Sequence, residues 1–264
     1  MRILVAPPAP FQSRRSEPEI YRVASLSWLT ILLALAVLLP ASAAQAVTLV
    51  GGPVTTNTTW SLANSPYEVT SSITVSNTAK LTVEAGVTVR FRAGTGLMIG
   101  KIIADLCQID CQEAGRLEVL GTAAKPVTFT SKSGQRDWRG VGFGPATDAG
   151  AIFSTLRNLV VDRAGQSLKY GGTVGLVSAG LSFVGTGNNF IVDSVTVQNC
   201  AADGWVLRDA TLSLNKGLAH ANGGVGLRAQ DSQLAITKST ISNNALGGMA
   251  LRDSQGLVSD NRVE

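Results

Sequence analysis

The chain has 264 residues, of which 45% are hydrophobic and 15% charged, and its formal net charge is +4 at pH 7. The first 46 residues carry four arginines against two glutamates, so half of the net charge lies there and no basic run follows. Because a positive stripe is lacking, the composition argues against nucleic acid as a partner.

The N-terminal segment is typical of a secretory signal peptide. Its apolar run LSWLTILLALAVLL (26–39) follows three arginines and is shorter than a comfortable bilayer span. Small residues then stand at the −3 and −1 positions of a signal-peptidase site, Ala44 and Ala46. We therefore expect a signal peptide over 1–46 and a mature protein that is secreted or held at the cell surface, with no stable membrane span. An uncleaved N-terminal anchor is the alternative.

The remaining chain has the composition of an all-β protein. All 28 glycines follow residue 46, and no proline follows Pro145. A segment rich in Gly, Ser, Thr and Val suits backbone ladders that need every N–H, and it suits helices poorly. Its length is enough for one all-β domain.

Short strands with apolar side chains at every second position recur along this segment. The clearest are SITV (72–75), KLTVEAGVTVRF (80–91), GRLEVLG (115–121), KPVTFTS (125–131) and RGVGF (139–143).

The C-terminal half repeats itself with a period of about 22 residues. Segments 190–214, 216–236 and 238–260 can be aligned with one another. The alignment places two sets of residues in register, Leu207, Leu227 and Leu251, and Asn199, Asn222 and Asn243. Three short strands and three turns fill such a unit, and each unit must stack on the next to bury its apolar face. The sequence therefore predicts a right-handed parallel β-helix, with three short strands per rung, over 47–264.

Within the repeats, the phrases GWVLRD (204–209), GVGLRA (224–229) and GMALRD (248–253) share an arginine that strand alternation points outward. We expect the arginines to stack on the surface, with nearby aspartates offsetting their repulsion. The arginines are Arg208, Arg228 and Arg252, and the aspartates are Asp209, Asp231 and Asp253. The set is either a solvated structural ladder or a ligand-binding stripe.

Three tryptophans of this segment, Trp60, Trp138 and Trp205, could stack on sugar rings if they were exposed, although packing in the core is the commoner use. Trp205 is the better candidate for an exposed ring because it follows a turn glycine. The candidate binding residues are therefore Trp205, Arg208, Asp209, Arg228, Arg252 and Asp253.

Three cysteines follow the signal peptide. Cys107 and Cys111 are close enough in sequence to form a small disulfide loop in an oxidising compartment, and Cys200 is then a buried small hydrophobe. A metal site is the alternative, which the single histidine, His220, and the lack of a second cysteine pair disfavour. We expect no metal and no cofactor.

Several phrases together resemble secreted bacterial right-handed β-helix proteins of the pectate-lyase-like superfamily. They are TTWSLANSPYEVTSSITVSNTAKLTVEAGVTVRF (58–91), GRLEVLGTAAKPVTFTS (115–131), DWRGVGF (137–143) and STLRNLVVDRAG (154–165). The resemblance implies the fold, export and a frequent association with surfaces or polysaccharides, but not one reaction. The segment 97–119, which contains two of the cysteines, departs from the pattern as an insertion between strands.

Catalytic residues are not identified by the sequence. A lyase of this superfamily is expected to use acids that hold calcium near an Arg or Lys, and a hydrolase needs paired carboxylates. No two acids are adjacent after residue 46, although acids of different rungs could meet in space. The candidates for such a meeting are Asp162, Asp193, Asp203 and Asp209. GGVGLR (223–228) resembles a calcium-binding repeat but carries Arg228 where an aspartate is needed, which opposes calcium binding.

The expected function is that of an exported scaffold for cell-surface or extracellular interaction that contacts carbohydrate. The alternative is a polysaccharide lyase or glycoside hydrolase that acts on an acidic or neutral polysaccharide, and a third hypothesis is a spacer between other domains. A groove where two or more acids converge with an Arg or Lys would favour the enzyme. Because NRVE (261–264) falls midway through a rung, we also expect a truncated C-terminus.

Overall fold

The structure is a computed structural model, and it describes residues 46–102, 112–144, 154–170, 175–187 and 190–264. The signal-peptide prediction and the Cys107–Cys111 disulfide prediction lie outside the described residues and stay predictions. Among the described ranges, no helix is long and apolar enough to cross a membrane.

Nearly all regular structure in the described residues is β-strand, and one short 3-10 helix spans Leu62–Asn64. The first nine strands are β1 (Thr48–Val54), β2 (Thr58–Trp60), β3 (Tyr67–Val75), β4 (Lys80–Val83), β5 (Thr88–Phe91), β6 (Leu97–Ile99), β7 (Lys101–Ile102), β8 (Gln112–Glu113) and β9 (Arg116–Leu120). The next nine are β10 (Val127–Ser131), β11 (Val141–Phe143), β12 (Ser154–Arg157), β13 (Leu159–Asp162), β14 (Leu168–Lys169), β15 (Leu176–Val177), β16 (Ala179–Val184), β17 (Phe190–Asp193) and β18 (Thr196–Gln198). The last nine are β19 (Asp203–Arg208), β20 (Thr211–Asn215), β21 (Leu218–His220), β22 (Leu227–Gln230), β23 (Gln233–Thr237), β24 (Thr240–Ser242), β25 (Met249–Arg252), β26 (Gln255–Ser259) and β27 (Arg262–Val263).

The strands stack into three parallel faces. Sheet I has the order β2-β4-β9-β12-β17-β20-β23-β26. The long strand β3 bends around a corner, so that its first half pairs with β5 and its second half with β6. Two sheets extend from β3. Sheet II has the order β5-β10-β13-β18-β21-β24-β27, and sheet III has the order β6-β11-β16-β19-β22-β25. Each turn of chain contributes one strand to each sheet, and the predicted right-handed parallel β-helix is confirmed.

The C-terminal turns repeat with a uniform period of 22 residues. Trp205 pairs with Leu227, and Leu227 pairs with Met249, and the same interval recurs in sheets I and II. The predicted period is therefore confirmed, but the predicted register is wrong in the middle repeat. Leu207 pairs with Ala229, which pairs with Leu251, so Leu227 lies two residues away from their column.

The predicted asparagine register is corrected in the same way. Asn199, Ala221 and Asn243 are 22 residues apart, and all three have the left-handed backbone conformation, with φ of 55° or 56°. Asn222 belongs to the next column, where its Oδ1 accepts the Cys200 N–H at 3.0 Å. Its Nδ2 donates to Oδ1 of Asn244 at 2.9 Å, and this pair continues the column.

The corners of the last turns share a left-handed residue, and at several of them a short polar residue follows and accepts an N–H of the preceding turn. After sheet III the left-handed residues are Asp209, Asp231 and Asp253, with φ between 47° and 49°. Ser232 then accepts the N–H of Ala210 at 3.2 Å, and Ser254 accepts the N–H of Ser232 at 3.1 Å. Ser239 serves the same purpose between sheets I and II, where it accepts the Gly217 N–H at 2.9 Å. These ladders satisfy buried N–H groups that the sheets leave unpaired.

Two glycines of the repeated phrases lie where stacked turns approach closely. A Cβ at Gly204 would lie 2.6 Å from the carbonyl oxygen of Gly226, and a Cβ at Gly226 would lie 2.6 Å from Nδ2 of Asn244. Side chains are excluded there because backbone of the next turn, Ile241 and the asparagine ladder occupy the space.

One hydrophobic core runs along the axis, because alternate residues of all three sheets point inward. Phe143 and Phe183 stack with centroids 4.8 Å apart, and Trp205 lies parallel to Phe183 at 6.4 Å. At the N-terminal end, Trp60 stacks on Tyr67 at 5.2 Å.

Two antiparallel excursions leave the stack. β7 pairs with β8 at the base of the predicted insertion, and β14 pairs with β15. The β14–β15 excursion places Leu168, Tyr170 and Val177 on the outside of sheet III, where they form a second apolar cluster with Val184 and Val206. Sheet III is therefore covered at these turns.

Candidate functional site

Trp205 has no exposed ring. Only 1% of its surface is accessible, and it lies in the core beside Phe183. Trp60 and Trp138 are also buried, at 3% and 0% exposure. The expectation of an exposed Trp205 is therefore wrong because β19 points this residue inward, and core packing is confirmed for all three tryptophans.

The three arginines of the repeated phrases do not form one column. Gln230 is the register partner of both Arg208 and Arg252, while Arg228 pairs with Val206 and Ala250 in the neighbouring column. The prediction of a continuous arginine stack is wrong because it aligned the Leu-Arg dipeptides rather than residues 22 positions apart.

Arg228 is engaged in an ion pair that the sequence did not indicate. Its Nε and Nη2 donate to the two carboxylate oxygens of Asp203, at 2.6 and 3.2 Å. Hydrogen bonding to the Asp203 carboxylate raises the pKa of the Arg228 guanidinium. Asp203 also accepts the Val225 N–H at 2.7 Å, so the carboxylate links one turn to the next.

Asp209, Asp231 and Asp253 do form a column, and all three are exposed at the corner after sheet III. Arg252 lies 3.4 Å from Asp253, and Gln230 donates to Asp231 at 3.0 Å. Both members of the Arg252–Asp253 pair are about 70% exposed, so solvent screens their attraction.

The four candidate acids do not converge, because their strands belong to different faces. Asp162 lies on sheet II, Asp193 on sheet I, and Asp203 and Asp209 at opposite ends of β19 on sheet III. Within the described residues, no group of three or more His, Cys, Asp and Glu side chains could hold a metal ion.

Asp162 is buried, and its carboxylate accepts four hydrogen bonds. Oδ1 accepts from Asn199 at 2.8 Å and from Gln198 at 3.3 Å. Oδ2 accepts from Arg163 at 2.7 Å and from Thr130 at 3.0 Å. Because these donors occupy its acceptor positions, the carboxylate orients its neighbours and is not open to a substrate.

Glu68 is a second buried acid, which sequence reasoning missed. It lies on the outside of sheet II, where Arg92 and Lys132 from the next two turns both reach its carboxylate. Hydrogen bonds from Lys132 and Arg92 lower the pKa of Glu68. Three turns of chain are therefore joined by one carboxylate.

The outer face of sheet I carries a groove of about 620 Å³. One of its sides is a polar column in register, made by Arg157, Asp193, Asn215 and Thr237. The Asn215 amide donates to Asp193, and the Thr237 hydroxyl donates to the Asn215 amide oxygen at 3.2 Å. We call these four residues the polar column.

Beside the polar column lies an apolar floor. It contains Ile191 and Ala235, with Ser213 between them, and Phe190 lines the groove at its edge. Ile191 is 42% exposed, and Phe190 packs edge-on against Phe183 at 4.9 Å. Phe190, rather than Trp205, is therefore the aromatic residue that lines this groove, where it is half-buried and packs against the core.

Two lysines stand along the edge of the groove. Lys216 and Lys238 follow the polar-column residues Asn215 and Thr237 directly, and both are exposed at the corner between sheets I and II. Among these groove residues, only Asp193 was a candidate at the level of sequence. The signal that could have found the others is the recurrence of polar residues at 193, 215 and 237, each 22 positions from the last.

Residues 52–175 match a family model described as a pectate-lyase like beta helix domain. Neither the curated proteins nor the solved structures that were searched gave a match.

Proposed function

We propose that the protein is an exported scaffold that binds a carbohydrate chain in the sheet I groove, and the match of residues 52–175 to a pectate-lyase like beta helix domain supports the scaffold. The signal-peptide pattern at residues 1–46 supports export. The groove supports the choice of ligand, and it is the observation that carries the proposal.

The chemistry of the groove suits a sugar polymer. Pyranose rings have apolar faces and hydroxyl edges, so they match a floor of Ile191 and Ala235 flanked by hydrogen-bonding side chains. The polar column crosses four successive turns at intervals of about 4.8 Å, which gives an extended ligand repeated contacts along the axis. The volume is within the usual range for ligand sites.

The test is to fill the groove without disturbing the core. Ala235 points outward and is half-buried, so Ala235→Trp places a large ring across the floor. We expect binding to the best ligand of a polysaccharide panel, measured by depletion, to weaken at least tenfold.

Thr240→Trp is the matched control, because Thr240 is an outward, half-buried residue of sheet II. This variant should bind like the unchanged protein. Equal binding by both variants, or no binding to any polysaccharide, would refute the proposed function.

A second candidate function rests on a pair within the same groove. Arg157 and Asp193 are register partners on adjacent turns, so an acidic and a basic residue occupy neighbouring positions of one column. A polysaccharide lyase or glycoside hydrolase could use such a pair. The same panel, with and without calcium, should be followed for new unsaturated or reducing ends. Their formation, and its loss in Asp193→Asn, would favour the enzyme over the scaffold.

A further inference from the structure

A second concave site lies between sheets II and III, away from the sheet I groove. It has a volume of about 590 Å³, and its lining is polar. The loop after β10 contributes Gly134, Gln135 and Arg136, and the ends of β13 and β18 contribute Arg163 and Asn199. We call it the loop pocket.

The wall formed by Arg163 and Asn199 is fixed from beneath. The buried carboxylate of Asp162 accepts hydrogen bonds from both side chains, at 2.7 and 2.8 Å. Asp162 is only 6% exposed, whereas the Arg163 side chain is 45% exposed. Arg163 uses one of its five N–H donors on this carboxylate, so the others remain for a ligand.

The opposite wall is held by hydrogen bonds within the loop. Asp137 accepts from Ser131 at 2.7 Å and from Ser133 at 2.6 Å. Gly165 lies so close to the backbone of Arg136 that a Cβ there would overlap the Arg136 carbonyl group. The loop is therefore arranged before any ligand arrives, which lowers the entropic cost of binding.

Both charged side chains that line the loop pocket are arginines. The two carboxylates adjacent to them in sequence, Asp137 and Asp162, already accept hydrogen bonds from neighbouring side chains. Among the residues that the structure describes, Arg136 has no hydrogen-bonding or ion-pair partner for its side chain, and it is exposed. The Arg136 guanidinium, the remaining N–H groups of Arg163 and the Gln135 amide therefore supply donors for a ligand.

From this arrangement we propose that the loop pocket binds an oxyanion group, such as a sulfate, phosphate or carboxylate, through Arg136 and Arg163. Guanidinium N–H groups form strong, directional bonds with such groups. The inference goes beyond the proposed function, because it concerns another face and does not depend on the sheet I groove.

The test is calorimetric titration of the protein with sodium sulfate, sodium phosphate and sodium acetate at a constant ionic strength set by chloride. At least one of the three anions should bind with one-to-one stoichiometry. Arg136→Gln should weaken that binding about tenfold or more, since a hydrogen bond to a charged group is lost.

Lys125→Gln is the matched control, because it removes the same charge from an exposed lysine that lines neither the loop pocket nor the sheet I groove. This variant should retain the affinity of the unchanged protein. Equal weakening in both variants would indicate general electrostatic attraction and would overturn the proposal, as would the absence of binding by all three anions. A titration with dextran sulfate distinguishes an oxyanion carried by a polymer from a free small ion. Tighter binding of dextran sulfate than of free sulfate indicates the polymer, and equal binding indicates the small ion.

Discussion

At the scale of single residues, the fold depends on short polar side chains buried at the corners. Asn222 is 2% exposed and has three partners: it accepts from the Cys200 N–H and donates to the Val197 carbonyl and to Asn244. Such a residue joins three successive turns, and no apolar residue of similar size can replace its bonds.

We predict that Asn222→Ala lowers the free energy of unfolding by about 2–4 kcal/mol, because it strands the buried Cys200 N–H and Val197 carbonyl. Urea unfolding measures the loss. Asn243→Gly is the control, since Asn243 is exposed and its φ of 56° suits glycine, and its cost should stay below about 1 kcal/mol. Equal losses in the two variants would show that the Asn222 ladder does not hold the turns together.

The roles of the corner asparagines could be predicted only in part from the sequence. The alignment of the repeats showed that asparagines recur at a turn, but it placed Asn222 with the left-handed residues instead of in the ladder beside them. The left-handed residue and the ladder residue are neighbours in sequence, and a glycine-rich turn gives no local signal of which of the two is buried. Phe190 was missed because its partial exposure depends on neighbours from other turns, Phe143 and Phe183.

At the scale of elements, the β14–β15 excursion is the feature that the repeat pattern could not predict. It interrupts one turn between β13 and β16 and folds back over sheet III. The Tyr170 hydroxyl lies 2.6 Å from that of Ser182, above Gly142, where a side chain would collide with the ring. Gly142 therefore makes room for the excursion to pack against the sheet.

Burial makes this packing sensitive to alkaline pH. Desolvation raises the pKa of Tyr170 above its ordinary value of 10.0. Because the pKa of Tyr170 is higher in the folded than in the unfolded chain, the unfolded chain loses the phenol proton first as the pH rises. The contribution of the buried phenol to stability is therefore complete below about pH 10, and above it declines by up to about 1.4 kcal/mol per pH unit.

We predict that Tyr170→Phe lowers the free energy of unfolding by about 1 kcal/mol at pH 7, through loss of the hydrogen bond with Ser182. Between pH 10 and 11 the variant should lose less stability than the unchanged protein, because it lacks the ionising group. Denaturant unfolding at pH 7, 10 and 11 measures both effects. Ser182→Ala, which keeps the phenol, should retain the steep alkaline loss, and identical slopes for Tyr170→Phe and the unchanged protein would contradict the account.

At the scale of the whole molecule, strand alternation and a period near 22 residues were enough to predict the parallel β-helix. All five strand segments proposed from alternation contain strands, although 80–91 divides into β4 and β5 at a turn. The register was harder, because the Leu-Arg dipeptide of the middle repeat, Leu227–Arg228, stands two positions before the one that stacking requires.

The binding surfaces could be predicted less well than the fold. A surface column consists of residues from separate turns, so an error of two positions moves a side chain along its strand to a different column. Asp193 was a candidate, but its partners Asn215 and Thr237 became apparent only once the correct register was known. Excursions such as β14–β15 then decide which face stays open, and their packing is not periodic.

The most direct measurement of the stacking is disulfide formation between two engineered cysteine pairs. Gln230 and Arg252 are register partners, so their Cα atoms should be about 4.8 Å apart, within the range that a disulfide spans. Arg228 and Arg252, which the Leu-Arg alignment would pair, are separated by a further two residues along the strand, about 8 Å in all. After mild oxidation and mass spectrometry of the peptides, we predict an intramolecular disulfide in Gln230→Cys/Arg252→Cys and none in Arg228→Cys/Arg252→Cys. The reverse result would contradict a solenoid in which equivalent residues stack every 22 positions.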